Sequence, residues 1–295
     1  MYGRCGSIGL LAISCFILVA CGDTSTSNSI ATVPGRSKFD TKITGTSPSL
    51  DSVGIWHNTA CAYIYSNIPP ASYASTLSAR YQQLSQTGHV ILQSTYGMDT
   101  THRPSGESAM FTTEFPLMTS NTNPEEIFDD VKARMTLNTE WSYVSGNDEA
   151  ILDSIALFFQ NYNTASKTYA QVSSDIISEM TSLLSYHSTL TWSGTGAGEP
   201  SKATLRGIQS SALYWKQWLD NYATPSQQAN GAQDIAVIAQ IDGGGMLVGW
   251  IGAIVEEVSM NGSLNPANSW KRVNAALRQG FNMSSGTMFS RWFGK

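Results

Sequence analysis

The sequence predicts an all-α protein, a single multi-helix bundle with a central glycine-rich, apolar helix. Three consecutive segments between residues 151 and 222 place apolar side chains every third or fourth residue, the period of a helix that buries one face. Residues 235–255 are apolar or small almost throughout, and a helix that is apolar on every side lies inside a domain or in a membrane. Helices with apolar stripes must pack against each other, and short connections favour antiparallel neighbours.

The first twenty residues have the three-part layout of a secretory signal peptide. A start with one positive charge, Arg4, precedes an apolar run from Ile8 to Ala20, and small residues close it. The run is shorter than the roughly 20 residues that a membrane-spanning helix needs. The sequence therefore predicts a signal peptide over residues 1–20, with an uncleaved anchor or a plain secreted protein as the alternatives.

The end of this run resembles a known signal. Leu18-Val19-Ala20-Cys21 resembles the lipobox of bacterial lipoproteins, whose cysteine becomes the lipid-bearing first residue of the mature chain. The resemblance implies lipidation of Cys21 and a lipid-anchored place in the cell envelope. One acyl chain gives only marginal membrane binding, and the lipobox implies several. Gly22, directly after the cysteine, favours the outer membrane over the inner one.

The remainder divides into a tether and one domain. Residues 21–48 are rich in Ser, Thr, Gly and Pro and have scarcely any apolar periodicity, so we expect a flexible tether there. Helical spacing begins at Ser49 and largely persists, which predicts a helical domain over residues 49–295.

Two helices are expected at the start of this domain, over residues 49–68 and 71–87. A proline pair ends the first and Gly88 ends the second. Residues 88–120 could contain a minor irregular or β element, because His89–Leu92 fits a short strand as well as a helical turn.

The middle of the chain carries the clearest helical pattern. A helix start is expected at Asn123-Pro124, where a capping residue precedes proline. Three apolar seams follow, with a glycine-rich break over residues 194–198 before the last of them. The seams consist of Ile151, Ile155, Phe158 and Tyr162; Tyr169, Val172, Ile176, Met180, Leu183 and His187; and Leu205, Ile208, Ala212, Trp215, Leu219 and Tyr222.

The glycine-rich helix is predicted as two pieces, residues 234–242 and 244–258. Glycine costs a helix about 1 kcal/mol relative to alanine, so Gly243-Gly244-Gly245 marks a break or a tight contact. Gly245, Gly249 and Ala253 recur every four residues, a spacing that lets helix backbones approach closely. We expect a core helix, with membrane insertion as the alternative. A last helix is expected from Asn265-Pro266 to Gly280.

The composition argues against nucleic-acid binding, and the sequence contains no recognised catalytic or metal-binding motif. The net charge of −5 makes nucleic acid a poor partner. The four histidines show no metal-ligand spacing, and no phosphate loop or nucleophile elbow is present. The sequence therefore predicts no metal, no cofactor and no catalytic residue.

His57 and Asn58 are the sharpest candidates for a ligand or packing site. The pattern Gly54-x-x-His57-Asn58, together with a glycine-rich segment after Asp242, resembles a group of helical lipoproteins of Bacteroidetes-type bacteria. No activity is attached to that group, so the resemblance carries no catalytic residue. It implies that the His57 helix packs against the glycine helix, which makes Asp242 and Gly243-Gly244-Gly245 part of the candidate site. Cys61 is expected to be a buried thiol.

Trp218 is the other candidate. Trp218 and Tyr214 fall off the seam that holds Trp215 and Tyr222, so they could line a peptide- or glycan-binding surface, with core packing as the alternative.

These observations predict a lipid-anchored protein of the cell envelope, a non-catalytic binding or structural module whose partner is an envelope protein, a peptide or a glycan. Two alternatives stay open at this stage. One is a membrane-inserting protein resembling glycine-zipper toxins, and the other is an enzyme of an unidentified class.

Overall fold

A computed structural model describes residues 50–98, 104, 106–121 and 123–295. The predicted signal peptide over residues 1–20 and the predicted tether over residues 21–48, which includes Cys21, lie outside these residues. In the described part of the chain there are nine α-helices and no β-strand, which confirms the all-α prediction. The helices are α1 (Val53–Asn67), α2 (Leu77–Tyr96), α3 (Glu107–Ser120), α4 (Ile127–Met135), α5 (Gly146–Asn161), α6 (Tyr169–Thr189), α7 (Glu199–Tyr222), α8 (Pro225–Asn261) and α9 (Ser269–Phe293).

The central helix is α8, and it is continuous. It begins at a capping box, in which Thr224 and Gln227 satisfy each other's backbone N–H groups, and it ends at Gly262 in the left-handed conformation. It packs against α4, α6, α7 and α9. The prediction of a bundle around a glycine-rich core helix is therefore confirmed.

The predicted break at Gly243 is wrong, because each of the three glycines is a tight helix contact. A Cβ atom on Gly243 would lie 2.6 Å from the Ile208 side chain of α7, and one on Gly244 would lie 3.1 Å from Val131 of α4. A Cβ on Gly245 would lie 3.0 Å from the backbone oxygen of Gln279 in α9. Close packing on three sides offsets the low helix propensity of glycine, so the helix does not break.

Two predicted helix stops are wrong for the same reason. Helix α2 continues through Gly88, where a Cβ would lie 2.5 Å from the Phe281 ring, and ends at Gly97 with φ +65°. The strand alternative for His89–Leu92 is therefore wrong as well, since these residues are helical. Helix α9 continues through Gly280, which accommodates the side chain of Met246.

Helix α9 is unusual because it is polar and yet buried. Its middle is covered on all sides by α1, α2, α3, α7 and α8. Its fully buried polar side chains are Arg272, Asn274, Arg278, Gln279, Asn282, Ser284 and Ser285. A buried polar group is costly unless it is paired, so α9 brings hydrogen bonds and charges into the centre of the bundle.

Candidate functional site

The structure brings His57, Asn58 and Asp242 together. The Nε2 atom of His57 in α1 lies 3.3 Å from Oδ2 of Asp242 in α8, and both side chains are fully buried. On the other side of the ring, Nδ1 donates to Oδ1 of Asn58 at 3.0 Å. The Asn58 amide is oriented by its own bond from Nδ2 to the backbone oxygen of Ser210 at 3.0 Å. An acceptor therefore faces each ring nitrogen, which suits a doubly protonated imidazolium.

The electrostatics of this contact favour holding a proton. Burial lowers the pKa of His57, but the nearby Cys61 sulfur and the Asp242 carboxyl group outweigh it and place that pKa well above its usual value. Burial raises the pKa of the Asp242 carboxyl group. His57 and the hydroxyl groups of Ser211 and Ser284 lower that pKa by a smaller amount, so it stays above its usual value. Both pKa shifts favour retention of a proton within the His57–Asp242 pair.

This arrangement is a sealed structural contact. The Cys61 sulfur lies 3.7 Å from Nε2 of His57, so a thiol, an imidazole and a carboxyl group converge. All three side chains have no solvent exposure, so a molecule in solution does not contact them in this structure. The pair joins α1 to α8 through the core, and its chemistry is that of a buried ion pair whose partners depend on each other.

Trp218 is also a core residue. It is 2% exposed, and its ring stacks on that of Trp292 with the centroids 4.3 Å apart. Tyr214 is equally buried, whereas Tyr222, which the seam places inside, is 40% exposed. The burial of Trp218 and Tyr214 bears out the core-packing alternative, and Trp218 packs between Tyr65 of α1 and Trp292 of α9.

A second set of buried charges was not visible in the sequence. Arg272 of α9 forms a bidentate ion pair with Glu199, in which Nε and Nη2 donate at 2.7 and 3.0 Å. Its Nη1 atom donates to Glu257 at 2.7 Å. Arg278 donates to Glu107 at 2.6 Å. In the sequence Glu257 has the pattern of an exposed helix acid, and nothing there indicates that an arginine 15 residues later faces it.

A large cavity lies between α3, α4 and the C-terminal half of α8. We call it the α3–α4–α8 cavity, and its volume is about 710 Å³. Small-molecule sites in proteins have volumes of roughly 300–1,000 Å³. It is lined by Gly106, Ala109, Met110, Thr113, Glu114, Arg134, Met135, Asn138, Val248, Ile251, Gly252, Val255, Glu256, Ser259 and Met260.

The lining of this cavity is largely apolar and adaptable. Met110, Met135 and Met260 contribute flexible thioether chains, and Met260 is 75% exposed at its edge. Ile251 and Val255 of α8 add branched apolar side chains to the lining. Sequence reasoning missed this site, because its residues come from the unassigned 88–120 region and from positions that carry no motif.

One ion pair interrupts the apolar lining. Nε of Arg134 in α4 donates to Oε2 of Glu114 in α3 at 2.9 Å, and the two side chains are 28% and 11% exposed. The cavity therefore combines a largely apolar wall with the Glu114–Arg134 pair and a second acid, Glu256, and polar groups in an apolar wall can orient an amphiphilic molecule. Among the described residues there is no cluster of three or more side chains that could hold a metal ion.

No protein-family model, no curated protein and no solved structure matches this chain.

Proposed function

We propose that this chain is a lipid-anchored, non-catalytic protein of the bacterial cell envelope that binds a small apolar or amphiphilic molecule in the α3–α4–α8 cavity. The observation that carries the binding function is the cavity itself, about 710 Å³ with a mostly apolar lining and one ion pair. The lipobox-like Leu18-Val19-Ala20-Cys21 supports the anchor. On this proposal the bound molecule is the partner, in place of the peptide or glycan that the sequence first suggested.

The buried polar residues support binding over catalysis. The strongest chemical cluster, His57 with Cys61 and Asp242, is fully buried and apart from the cavity lining. Acid–base catalysis needs a titratable group within hydrogen-bonding reach of a substrate. The cavity offers a paired Glu114 and Arg134 in that position, which suits orientation of a ligand.

Filling the cavity tests the binding function. We expect the purified chain to bind a neutral fluorescent probe such as N-phenylnaphthylamine saturably, with one probe per chain. The Cys21→Ser variant removes the need for detergent, which would compete for the site. Val255→Trp places an indole in the cavity and should weaken probe binding about tenfold or more, the loss of roughly 1.4 kcal/mol of binding free energy.

Leu157→Trp is the matched control, since Leu157 lies on α5, is 59% exposed and does not line the cavity. Equal binding by the wild type and by both variants would show that the probe sits elsewhere and would overturn the proposal.

The anchor has its own test. A clickable palmitate analogue supplied to cells that express the full chain should label it, and the label should disappear in Cys21→Ser. The same substitution should move the protein out of the membrane fraction. Labelling that persists without Cys21, or a soluble wild-type protein, would contradict lipidation at this residue.

A second candidate function is membrane insertion by α8. This helix is long and apolar enough to cross a membrane, with a mean hydropathy of 1.4 over its most apolar 18 residues. In the structure 94% of that stretch is buried inside the bundle. A core helix meets the same criteria, so this observation is weaker than the cavity. Release of a trapped dye from liposomes by the Cys21→Ser chain would favour insertion. Intact liposomes, with the amides of α8 protected from hydrogen exchange, would oppose it.

A further inference from the structure

The α3–α4–α8 cavity holds one cation among the described residues that line it, Arg134. A guanidinium group carries five N–H donors. Arg134 uses one of them, Nε, in its bond to Glu114, and no other described residue accepts a hydrogen bond from this side chain. Its Nη2 atom is shielded from solvent without an acceptor among these residues. Four of its five N–H donors thus have no acceptor among the described residues, so this guanidinium group can bind a second oxygen partner.

Arg272 shows how a guanidinium group is satisfied elsewhere in the same molecule. It binds two carboxylate groups, Glu199 through Nε and Nη2 and Glu257 through Nη1, with distances of 2.7 to 3.0 Å. Arg134 has one carboxylate partner and a single bond to it. Arg134 therefore has one carboxylate partner fewer than Arg272, and unlike Arg272 it lines the cavity.

We infer that the ligand of this cavity is a single-chain amphiphile with an anionic head group, a carboxylate or a phosphate, and that Arg134 receives the head. This inference rests on the proposed binding function and names the chemical class of its ligand. Planar guanidinium groups suit both head groups, because they present paired N–H donors to two oxygens.

The apolar lining offers a place for the tail. Val248, Ile251 and Val255 follow one another along α8 at helical spacing, and Met260 lies five residues further along the helix at the exposed edge. Glu256 and Glu114 also line the cavity and carry the opposite charge, so a cationic amphiphile is the competing ligand class. Glu114 is already bonded to Arg134, and a cationic head group on the same tail is therefore included in the test.

The test compares head groups on one tail. The Cys21→Ser chain is titrated with dodecanoate, dodecyl phosphate, dodecanol and dodecylamine below their micelle concentrations, by displacement of the neutral probe. We expect the carboxylate or the phosphate to bind about tenfold more tightly than the alcohol, since charge-assisted hydrogen bonds are about twice as strong as neutral ones. The better of these two anions identifies the head group. Equal binding of anion and alcohol, or tightest binding of the amine, overturns the inference.

Two variants assign the preference to Arg134. Arg134→Met should bring the anion within about twofold of the alcohol while dodecanol still binds, and Arg134→Lys should retain part of the preference because it keeps the charge. Arg291→Met is the matched control: Arg291 is 31% exposed, donates from Nε to Asp234 at 2.6 Å, and does not line the cavity. An anion preference that survives in Arg134→Met would contradict the assignment.

The outcomes separate this inference from the proposed function. If no dodecyl compound and no neutral probe binds, the cavity is not a ligand site and the proposed function fails. If dodecanol binds, and Val255→Trp abolishes its binding, the proposed function stands and only the head-group comparison decides the anion. The wild-type comparison needs no substitution at Arg134, so it holds even where a variant fails to fold.

Discussion

The two sides of α8 are packed in opposite ways, although each contains a glycine. Toward α9, a Cβ atom on Gly249 would lie 2.3 Å from the backbone oxygen of Ala275, so the two helix backbones are in contact. Toward α3, a Cβ on Gly252 would lie 2.2 Å from the terminal carbon of Met110, so a flexible side chain fills the space. The first side is a rigid core contact, and the second borders a cavity. A helical glycine can thus allow two backbones to pack closely or leave space beside a cavity. The outcome depends on whether it faces backbone, as Gly249 does, or a flexible side chain, as Gly252 does.

Removing Asp242 should produce the largest effect. Asp242→Ala leaves His57 buried without its carboxylate partner, and breaking a buried ion pair costs about 3–5 kcal/mol. Urea unfolding followed by circular dichroism would measure the loss. Asp153→Ala is the control on an exposed ion pair, 58% exposed and bonded to Lys132, where we expect less than about 1 kcal/mol. Similar losses in the two variants would mean that the core pair is not specially stabilising.

A methyl group on the packed side of α8 should be the next most costly change. Gly249→Ala gains helix propensity, but its Cβ meets the backbone of α9, which cannot move aside as a side chain can. We expect a net loss of about 1–3 kcal/mol in the free energy of unfolding, the usual cost of overpacking. A neutral or stabilising result would show that α8 and α9 can separate, and the contrast between the two sides would disappear.

The pH dependence of stability should report the His57–Asp242 pair. The pKa of His57 is raised in the folded state, so the folded protein binds its proton more tightly than the unfolded chain does. This contribution is fully present below about pH 6.5, the ordinary pKa of histidine, and is lost as the pH rises through the folded value. The difference in unfolding free energy between the wild type and His57→Gln should therefore shrink as the pH rises. A difference that stays constant or grows would mean that His57 is neutral in the fold.

The cavity side of α8 should tolerate the same methyl group. In Gly252→Ala the added Cβ displaces only the end of Met110, which can move into the adjoining cavity. The gain in helix propensity is up to about 1 kcal/mol, so we expect stability within about 0.5–1 kcal/mol of wild type, on either side of it. Thermal unfolding of Gly252→Ala beside Gly249→Ala gives the comparison directly. A loss equal to that of Gly249→Ala would indicate that this side is as rigid as the core.

The helical periodicity allowed the bundle, the three seams and the core placement of the glycine helix to be predicted. It also allowed the close approach at Gly245 and Gly249 to be predicted, because small residues every four positions have few other uses in a buried helix. The continuity of α8, α2 and α9 through their glycines could not be predicted. Helix propensity gives the local cost of placing a glycine in a helix. The packing contact that offsets this cost comes from a distant part of the chain.

The candidate site shows the same division. The His-Asn pattern and the Asp242-glycine segment directed attention to residues that do meet, but nothing in their spacing told a sealed core from a cleft. Arg134 and Glu114 carry no motif, and they meet only because α3 and α4 pack at the same end of α8. A cavity is a property of what neighbouring helices fail to fill, and single-sequence periodicity does not contain that information.

The polar core of α9 has a consequence for the order in which the protein folds. Arg278 bonds Glu107 across 171 residues, and Arg272 bonds Glu199 across 73, so these contacts close very long loops. They cannot form until α9 has been synthesised, and until then α8 lacks the helix that covers its glycines. Chains with such distant contacts fold slowly and expose apolar surface while they wait. The newly made chain therefore spends its most vulnerable period with its most apolar helix uncovered, and α9 ends that period when it docks.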